Sequence, residues 1–312
     1  MSGYVGRLAP SPTGALHIGN VRTFMVAWLR ARACGGRILL RMEDLDHPRD
    51  KPGAAAQAID DLRWLGFDWD AEYVQSARRP FYRAALDRLK RAGLVYPCVC
   101  SRRDVENAQS APHAGEQLRY PGTCRGRFAS WEAAAAIRPP CWRFLVQDHG
   151  TVRLEDAFAG EYMQDVAETL GDFPLARDVD GAGYTLAVVV DDAEMGVTEV
   201  VRGDDLLPAT PGHILLQRAL GLPTPVYCHL PLVVGPDGRR LAKRHGDTRI
   251  ASYRAAGITA ETIIGRIAAS CGWGDGSPVR LAELLGEFSL DAMPHGIWVV
   301  DESSTERWKD DR

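Results

Sequence analysis

The sequence predicts an α/β fold, in which a parallel sheet is split by an insert and followed by a short helical C-terminal region. Short apolar runs that end in polar residues, such as Arg37–Met42, have the length and composition of strands buried in a parallel sheet. Segments with apolar residues at helical spacing lie between these runs, and a Cys-containing polar stretch interrupts the pattern after residue 95.

Composition sets the first limits on function. The chain has 312 residues, 46% of them hydrophobic and 25% charged, which suits a globular protein of one to three domains. The net charge of −4 excludes a globally basic nucleic-acid binder, although local clusters could still bind RNA. Each arginine cluster alone is more typical of a solvated face. These clusters are Arg78-Arg79, Arg102-Arg103, Arg125 with Arg127, and the cations of 239–244.

The N-terminal residues lack a signal-peptide pattern, and the densest apolar run, Leu186–Val190, is too short to cross a membrane. We therefore expect a cytoplasmic protein with no membrane partner.

The first structural unit is a strand, a turn and a helix. We expect the strand over Tyr4–Leu8 and the turn at Pro10 and Pro12, because proline presets φ and removes a backbone donor. A helix follows, because the apolar residues of the next segment recur at i, i+4, i+7 and i+8. They are Val21, Met25, Trp28 and Leu29.

The start of this helix is a candidate phosphate site. A helix N-terminus offers backbone N–H groups and a partial positive charge, and His17 and Asn20 can add side-chain donors. A proline-rich turn with a surface histidine is the simpler reading of His17 alone. The combined set favours a nucleotide site: Arg7, Ser11, Thr13, Gly14, His17 and Gly19.

The second strand, Arg37–Met42, leads directly into Glu43. Carboxylates at the C-terminal end of a parallel strand lie where α/β sheets bind ligands, so Glu43 is a candidate partner for an ammonium group. We expect Asp44 and Asp46 only to cap a turn or pair with arginines. Two helices follow, over Gly53–Leu65 and Pro80–Ala92.

The insert carries a candidate metal site. An odd number of cysteines, seven, argues against a disulfide framework, and three lie close together at Cys98, Cys100 and Cys124. Tetrahedral zinc needs a fourth ligand, for which Tyr120, His113 or water are the options, and histidine is the commonest ligand in general. Three buried reduced thiols are the alternative. The remaining cysteines are expected to be isolated core thiols: Cys34, Cys141, Cys228 and Cys271.

Later segments return to the main sheet. Arg143–Val146 and Thr151–Leu154 are expected to be strands turning at His149-Gly150, whereas periodicity leaves Tyr184–Asp192 open between strand and helix. Further elements are expected at 198–204, 210–220 and 226–230. From Thr248 the tail is expected to be helical, with a frayed end after Asp301. Its expected core residues are Ile258, Ile263, Ile264, Ile267, Leu281, Leu284 and Leu285.

A loop over 235–246 holds four cations within six residues and could clamp an anion. At this point the chain resembles the glutamyl branch of the class I aminoacyl-tRNA synthetases. His17-Ile-Gly-Asn20 resembles the His-Ile-Gly-His signature, and Arg240-Leu-Ala-Lys-Arg244 resembles Lys-Met-Ser-Lys-Ser. Asn20 can donate a hydrogen bond but carries no charge, and Ala242 removes one hydroxyl donor.

The resemblance implies a Rossmann-like nucleotide-binding domain that activates glutamate with ATP and Mg²⁺. The implied catalytic residues are His17, Asn20 and Lys243. The implied glutamate contacts are Arg7, Leu8, Ala9, Pro10, Ser11, Glu43, Tyr184 and Arg202. The implied ATP contacts are His17, Gly19, Asn20, Asp204, Arg240 and Lys243.

The insert narrows the resemblance, because Cys98-x-Cys100 followed by Tyr120-x-x-x-Cys124 is similar to the glutamyl-queuosine tRNA(Asp) synthetase family. That similarity favours Tyr120 over His113 as the fourth ligand of one structural zinc. The chain also ends soon after the second signature, where full glutamyl-tRNA synthetases continue into an anticodon-binding domain.

We expect four regions: the first half of the catalytic domain (1–95), the zinc-containing insert (96–180), the second half with the signature loop (181–247) and the helical C-terminal region (248–312). The expected activity is transfer of glutamate to the queuosine base of tRNA(Asp), by a monomer. The alternatives are a shortened enzyme that charges a tRNA 3′ end and a non-catalytic, zinc-containing RNA-binding paralogue.

Overall fold

The structure, a computed structural model, describes residues 3–45, 51–108, 119–147, 150–178, 181–239, 241, 248–300 and 308. Within these ranges, no helix is both long enough and apolar enough to cross a membrane.

The described residues form twelve strands and ten α-helices. The strands are β1 (Val5–Leu8), β2 (Arg37–Met42), β3 (Ala71–Val74), β4 (Val95–Cys98), β5 (Cys141–Phe144), β6 (Thr151–Asp156), β7 (Gly160–Asp165), β8 (Phe173–Ala176), β9 (Glu199–Gly203), β10 (Val226–Leu230), β11 (Val233–Val234) and β12 (Trp298–Val299). The helices are α1 (Ile18–Ala33), α2 (Ala54–Trp64), α3 (Arg79–Arg91), α4 (Arg102–Ala108), α5 (Trp131–Ala135), α6 (Val166–Thr169), α7 (Tyr184–Glu194), α8 (Thr210–Ala219), α9 (Ile250–Ala255) and α10 (Ala260–Ser270).

Parallel strands form the centre of the molecule. β1, β2 and β3 pair in that order, and β9 pairs with β10. The two groups adjoin at β1 and β9, where the Thr198 N–H donates to the Val5 carbonyl at 2.9 Å. The order across the centre is therefore β3-β2-β1-β9-β10, with α1 crossing from β1 to β2. The expectation of an α/β fold with a parallel sheet is confirmed.

Most predicted elements lie within one or two residues of their expected bounds, and β2 and β10 match them. The run that periodicity left open is a helix, α7, whose residues Leu186–Asp192 are all buried. A helix buried all round carries a continuous apolar run like that of a buried strand, which is why its sequence did not distinguish the two.

The insert contains two separate antiparallel sheets. β5 pairs with β4 and β8, whereas β6 forms a hairpin with β7. The predicted hairpin between Arg143–Val146 and Thr151–Leu154 is therefore wrong, because its two strands belong to different sheets. Of its expected turn, His149 lies outside the described residues.

Two large apolar clusters fill the centre, and a third, smaller one lies around Cys98 and Tyr120 in the insert. In the C-terminal region Ile258, Ile263, Ile264, Ile267, Leu281 and Leu284 are buried as expected. Leu285, by contrast, is exposed. The expectation of a frayed end does not hold for Trp308, which is buried and packs on Tyr253 with ring centroids 5.2 Å apart.

Candidate active site

A cavity of about 610 Å³ opens beyond the C-terminal ends of β1 and β9. Residues from both halves of the catalytic region line it together. From the predicted site they are Arg7, Ala9, Pro10, Ser11, His17, Gly19, Asn20, Glu43, Tyr184 and Arg202. The cavity therefore brings together, from four separate stretches of the chain, residues that the sequence predicted to share one site.

Two of the predicted contacts lie elsewhere. Leu8 is fully buried in the apolar core, because successive residues of β1 point to opposite faces and Arg7 takes the cavity side. Asp204 does not line the cavity, whereas its neighbour Asp205 does. The 3-10 turn that follows β9 sets this choice, which sequence alone could not resolve.

Opposite charges are paired on one wall of the cavity. Arg41, which is fully buried, donates to Glu43 at 3.2 Å and to Asp192 at 2.6 Å. The Arg7 Nε lies 3.8 Å from the same Asp192 carboxylate, and the Arg7 guanidinium also donates to the Val201 carbonyl at 2.7 Å. Counted together, the two arginines and two acids have no net charge.

Burial raises the pKa of Glu43, while the neighbouring Arg41 and Arg7 lower it. Burial also lowers the pKa of Arg7, which Asp192 counteracts. Sequence reasoning identified Glu43 and Arg7 but missed the buried pair Arg41 and Asp192 that holds them. A charged residue within an otherwise apolar strand or helix was the available signal for both.

Arg202, at the end of β9, faces the cavity from the other half of the sheet. Its guanidinium donates to Thr210 Oγ1 at 2.7 Å and to His229 Nε2 at 3.0 Å. Tyr184, the first residue of α7, lies at the rim with 45% of its surface exposed. The cationic groups of Arg7 and Arg202 and the carboxylate of Glu43 therefore converge on one cavity, which Asp205 also lines.

The first signature is organised by a capping box. His17 is the N-cap of α1, and its Nδ1 accepts from the N–H groups of Gly19 at 3.1 Å and Asn20 at 3.4 Å. Asn20 Oδ1 accepts in return from the His17 N–H at 3.2 Å. An acceptor Nδ1 places the proton of a neutral imidazole on Nε2, which is then a donor.

This cap corrects the expectation that the backbone N–H groups at the start of α1 are open to a phosphate. The N–H groups of Gly19 and Asn20 are already satisfied by His17, and that of Ile18 donates to the Thr248 carbonyl at 3.2 Å. The first turn of α1 is therefore not an open anion site in this state. The side chains of His17 and Asn20 line the cavity at this signature, close to the positive end of the helix dipole.

The described residues within and after the second signature lie beside the first. Leu241 lines the cavity. After the loop, the Ile250 N–H donates to the Leu16 carbonyl at 2.9 Å, and His17 and Arg249 form an antiparallel bridge. Arg240, Ala242 and Lys243 themselves lie outside the described residues. Leu241 therefore places part of the second signature at the cavity, and the residues that follow the loop contact Leu16 and His17.

A family model described as the catalytic domain of class I tRNA synthetases (E and Q) matches residues 5–303. The chain belongs to this family. It is 49% identical over 304 residues to a Glutamyl-Q tRNA(Asp) synthetase from Symbiobacterium thermophilum, covering 93% of each chain. It is 48% identical over 299 residues to a protein of the same name from Rhodopirellula baltica, covering 91% of this chain and 89% of that protein.

Solved structures of this synthetase family share the fold. A glutamate tRNA ligase from Elizabethkingia meningosepticum, crystallised with its amino acid, superposes with a TM-score of 0.81 at 27% identity. The match covers 99% of this chain and 69% of the ligase. A glutamate-tRNA synthetase from Elizabethkingia anophelis gives a TM-score of 0.82, also at 27% identity.

Outside the cavity, the synthetase insert gathers three thiols. The Sγ atoms of Cys98, Cys100 and Cys124 lie within 4.8 Å of one another, with 3.6 Å between those of Cys100 and Cys124. Tetrahedral zinc–thiolate bonds of 2.3 Å imply sulfur atoms about 3.8 Å apart, so the spacing fits zinc. The hydroxyl of Tyr120 lies 3.3 Å from Cys98 Sγ and 3.6 Å from Cys100 Sγ.

The position of Tyr120 fits a fourth ligand, while His113 lies outside the described residues. The Tyr120 hydroxyl also accepts from the Cys124 N–H at 2.9 Å, and the Arg143 guanidinium lies 3.8 Å from the centre of its ring. Hydrogen bonds with Cys141 and Tyr120, and the nearby Arg143 cation, lower the pKa of Cys98, whereas burial raises that of Cys100 to about 11. A lowered thiol pKa favours the thiolate that zinc requires.

Two of the four remaining cysteines differ from the expectation of isolated core thiols. Cys141 lies opposite Cys98 in the pairing of β4 with β5 and hydrogen bonds to it, so it is not isolated. Cys34 is exposed at the end of α1. Cys228 and Cys271 are buried as expected.

Proposed function

We propose that this chain activates L-glutamate with ATP and transfers the glutamyl group to the queuosine base in the anticodon loop of tRNA(Asp). The observation that carries the proposal is similarity along nearly the full length of proteins named for that reaction, at 49% and 48% identity. Membership of the class I E and Q family supports the activation step in its own right.

The charges of the cavity support glutamate as the amino acid. Glutamate carries two carboxylates and one ammonium. Arg7 and Arg202 supply cations for the carboxylates, Glu43 supplies the anion for the ammonium, and Ser11 and Tyr184 supply hydroxyls. A cavity with fixed charges rejects a neutral or cationic side chain, because each mismatch leaves a buried charge without a partner.

In the first step, the substrate α-carboxylate attacks the α-phosphorus of ATP, and pyrophosphate leaves. We assign His17 and Asn20 of the first signature, and Arg240 and Lys243 of the second, to binding the phosphates. Mg²⁺ accompanies ATP in this chemistry. These residues act by position and charge, and no nucleophilic side chain is required.

In the second step, a cyclopentenediol hydroxyl of queuosine attacks the glutamyl carbonyl, and AMP leaves.

The insert lies beside the catalytic sheet, and we assign one structural zinc to it. Cys98, Cys100, Cys124 and Tyr120 would hold this ion, which would cross-link a segment with only a small apolar core. We further propose that the enzyme acts as a cytoplasmic monomer.

A charging assay tests the transfer step. The protein is incubated with radiolabelled glutamate, ATP and tRNA that either contains or lacks queuosine. We expect label only on queuosine-containing tRNA(Asp), removable by enzymatic release of the modified base. Label on queuosine-free glutamate tRNA would instead support the shortened 3′-charging enzyme. Absence of glutamate-dependent pyrophosphate exchange would support the non-catalytic RNA-binding paralogue.

A further inference from the structure

The guanidinium of Arg202 is held from behind, on the side away from the cavity. Its Nε donates to His229 Nε2 at 3.0 Å, and one terminal nitrogen donates to Thr210 Oγ1 at 2.7 Å. Arg202 lines the cavity, but neither His229 nor Thr210 does. These two hydrogen bonds therefore fix the rotation of the planar group that faces the substrate.

His229 is itself fixed by a carboxylate at the end of β6. Its Nδ1 lies 2.6 Å from Asp156 Oδ2, and both side chains are fully buried. The other oxygen, Oδ1, accepts three backbone N–H groups, from Phe158, Ala159 and His229, at 2.8–3.0 Å. A carboxylate with so many donors has one orientation.

The protonation states of Asp156 and His229 follow from their hydrogen-bond partners. Hydrogen bonds from His229 and the three amides keep the pKa of Asp156 below its ordinary value although burial opposes them. Burial lowers the pKa of His229, and Arg202 adds to that effect although Asp156 opposes it. Because the Arg202 Nε–H donates to His229 Nε2 at 3.0 Å, this nitrogen is an acceptor and the imidazole is neutral. An ionised Asp156 takes the Nδ1 proton as donor, which leaves Nε2 as the acceptor that Arg202 needs.

We propose that Asp156 and His229 are positioning residues, which orient Arg202 to receive a substrate carboxylate. The inference rests on the proposed glutamate activation. It also gives the insert a role in amino-acid selection, because Asp156 ends an insert strand while His229 and Arg202 lie on the central sheet strands β10 and β9.

Asp156→Asn is expected to reverse the direction of the hydrogen bonds from Asp156 to Arg202 while keeping a side chain of the same size. The asparagine oxygen can still accept the three backbone amides, but its nitrogen now donates towards His229 Nδ1. His229 must then carry its proton on Nε2, which lies 3.0 Å from both Arg202 Nε and Thr210 Oγ1, so that Arg202 Nε–H loses its acceptor. The guanidinium is expected to turn away from its position.

Glutamate-dependent pyrophosphate exchange tests this inference when glutamate and ATP are varied separately. Misorienting one charge-assisted donor is expected to raise KM for glutamate about 10- to 100-fold in Asp156→Asn, with KM for ATP unchanged. The matched control is Asp61→Asn, another buried aspartate, which lies on α2 and does not line the cavity. It is expected to leave both constants unchanged.

Long-range ¹⁵N–¹H spectra of the histidine rings provide a readout that a purely structural role would not move. We expect the His229 proton on Nδ1 in the wild type and on Nε2 in Asp156→Asn. If Asp156→Asn does not fold, Thr210→Val removes a hydrogen bond to the same guanidinium and is likewise expected to raise KM for glutamate alone.

An unchanged KM for glutamate, or equal rises for glutamate and ATP, would overturn the positioning role. A wild-type protein without glutamate-dependent exchange would instead overturn the proposed function, and the tautomer spectra would still test the hydrogen-bond chain.

Discussion

Replacing Glu43 by glutamine removes the anionic group that we propose contacts the substrate ammonium, and it preserves the shape of the side chain. Glu43 is 10% exposed and accepts a hydrogen bond from Arg41 at 3.2 Å. In the wild type, Glu43 and Asp192 balance Arg7 and Arg41. The glutamine variant leaves one excess positive charge on the wall that must receive another cation.

The magnitude follows from the charged hydrogen bond between Glu43 and the substrate ammonium, which glutamine cannot make. A hydrogen bond to a charged group contributes about 1.5–3 kcal/mol, and the excess positive charge places the expected effect near the upper value. About 3 kcal/mol corresponds to a roughly 100-fold lower kcat/KM for glutamate. Pyrophosphate exchange at saturating ATP measures this constant, and thermal unfolding checks that the variant is folded.

The neighbouring Asp44 provides the control. It accepts from the Ser76 N–H at 2.8 Å and does not line the cavity. We expect Asp44→Asn to change kcat/KM by no more than about twofold, as for a substitution outside the site. Wild-type kcat/KM in Glu43→Gln, or an equal loss in Asp44→Asn, would refute the assignment of the ammonium contact.

Three further predictions concern metal, backbone and pH. The Cys124→Ser variant should contain much less zinc per protein than the wild type, as measured by mass spectrometry. An equal zinc content would rule out Cys124 as a ligand. Gly171→Ala should also lose zinc, because its Cβ would lie 2.3 Å from the Tyr120 carbonyl oxygen, whereas Gly160→Ala, also at positive φ but with open space, should retain it. Burial holds the pKa of His213 well below 6.5, so its stability contribution is present above pH 6.5 and is lost as pH falls. Below pH 6.5, the free energy of unfolding measured in urea should therefore fall with pH, and His213→Gln should reduce that slope by about 1.4 kcal/mol per pH unit. An unchanged slope would contradict this prediction.

Local patterns predicted the elements better than their partners. The bounds of β2 and β10 match because each is a short apolar run with clear ends. The supposed hairpin around residue 149 failed because strand pairing depends on distant segments: β5 lies between β4 and β8. The apolar pattern of one segment does not show which distant strand will pair with it.

In the candidate site, too, local features could be predicted but contacts between distant segments could not. Residues within the two signatures could be named because their types and spacing are unusual together. For Arg41 and Asp192 the sequence showed a charge within an apolar element but not its partner, because they pair only when the halves of the chain meet. His229 gave no such signal, since it acts by holding Arg202 on another strand. The domain bounds and the roles of the site residues stay predictions.

The hydrogen bonds between Val5 and Thr198 join positions 193 residues apart. During synthesis, β1 emerges first but must wait for almost two-thirds of the chain before its second neighbour exists. Until then it presents an unpaired apolar edge, the kind of surface that chaperones protect and that aggregates when released. A premature stop within the insert would expose this edge permanently, and we expect such fragments to be insoluble.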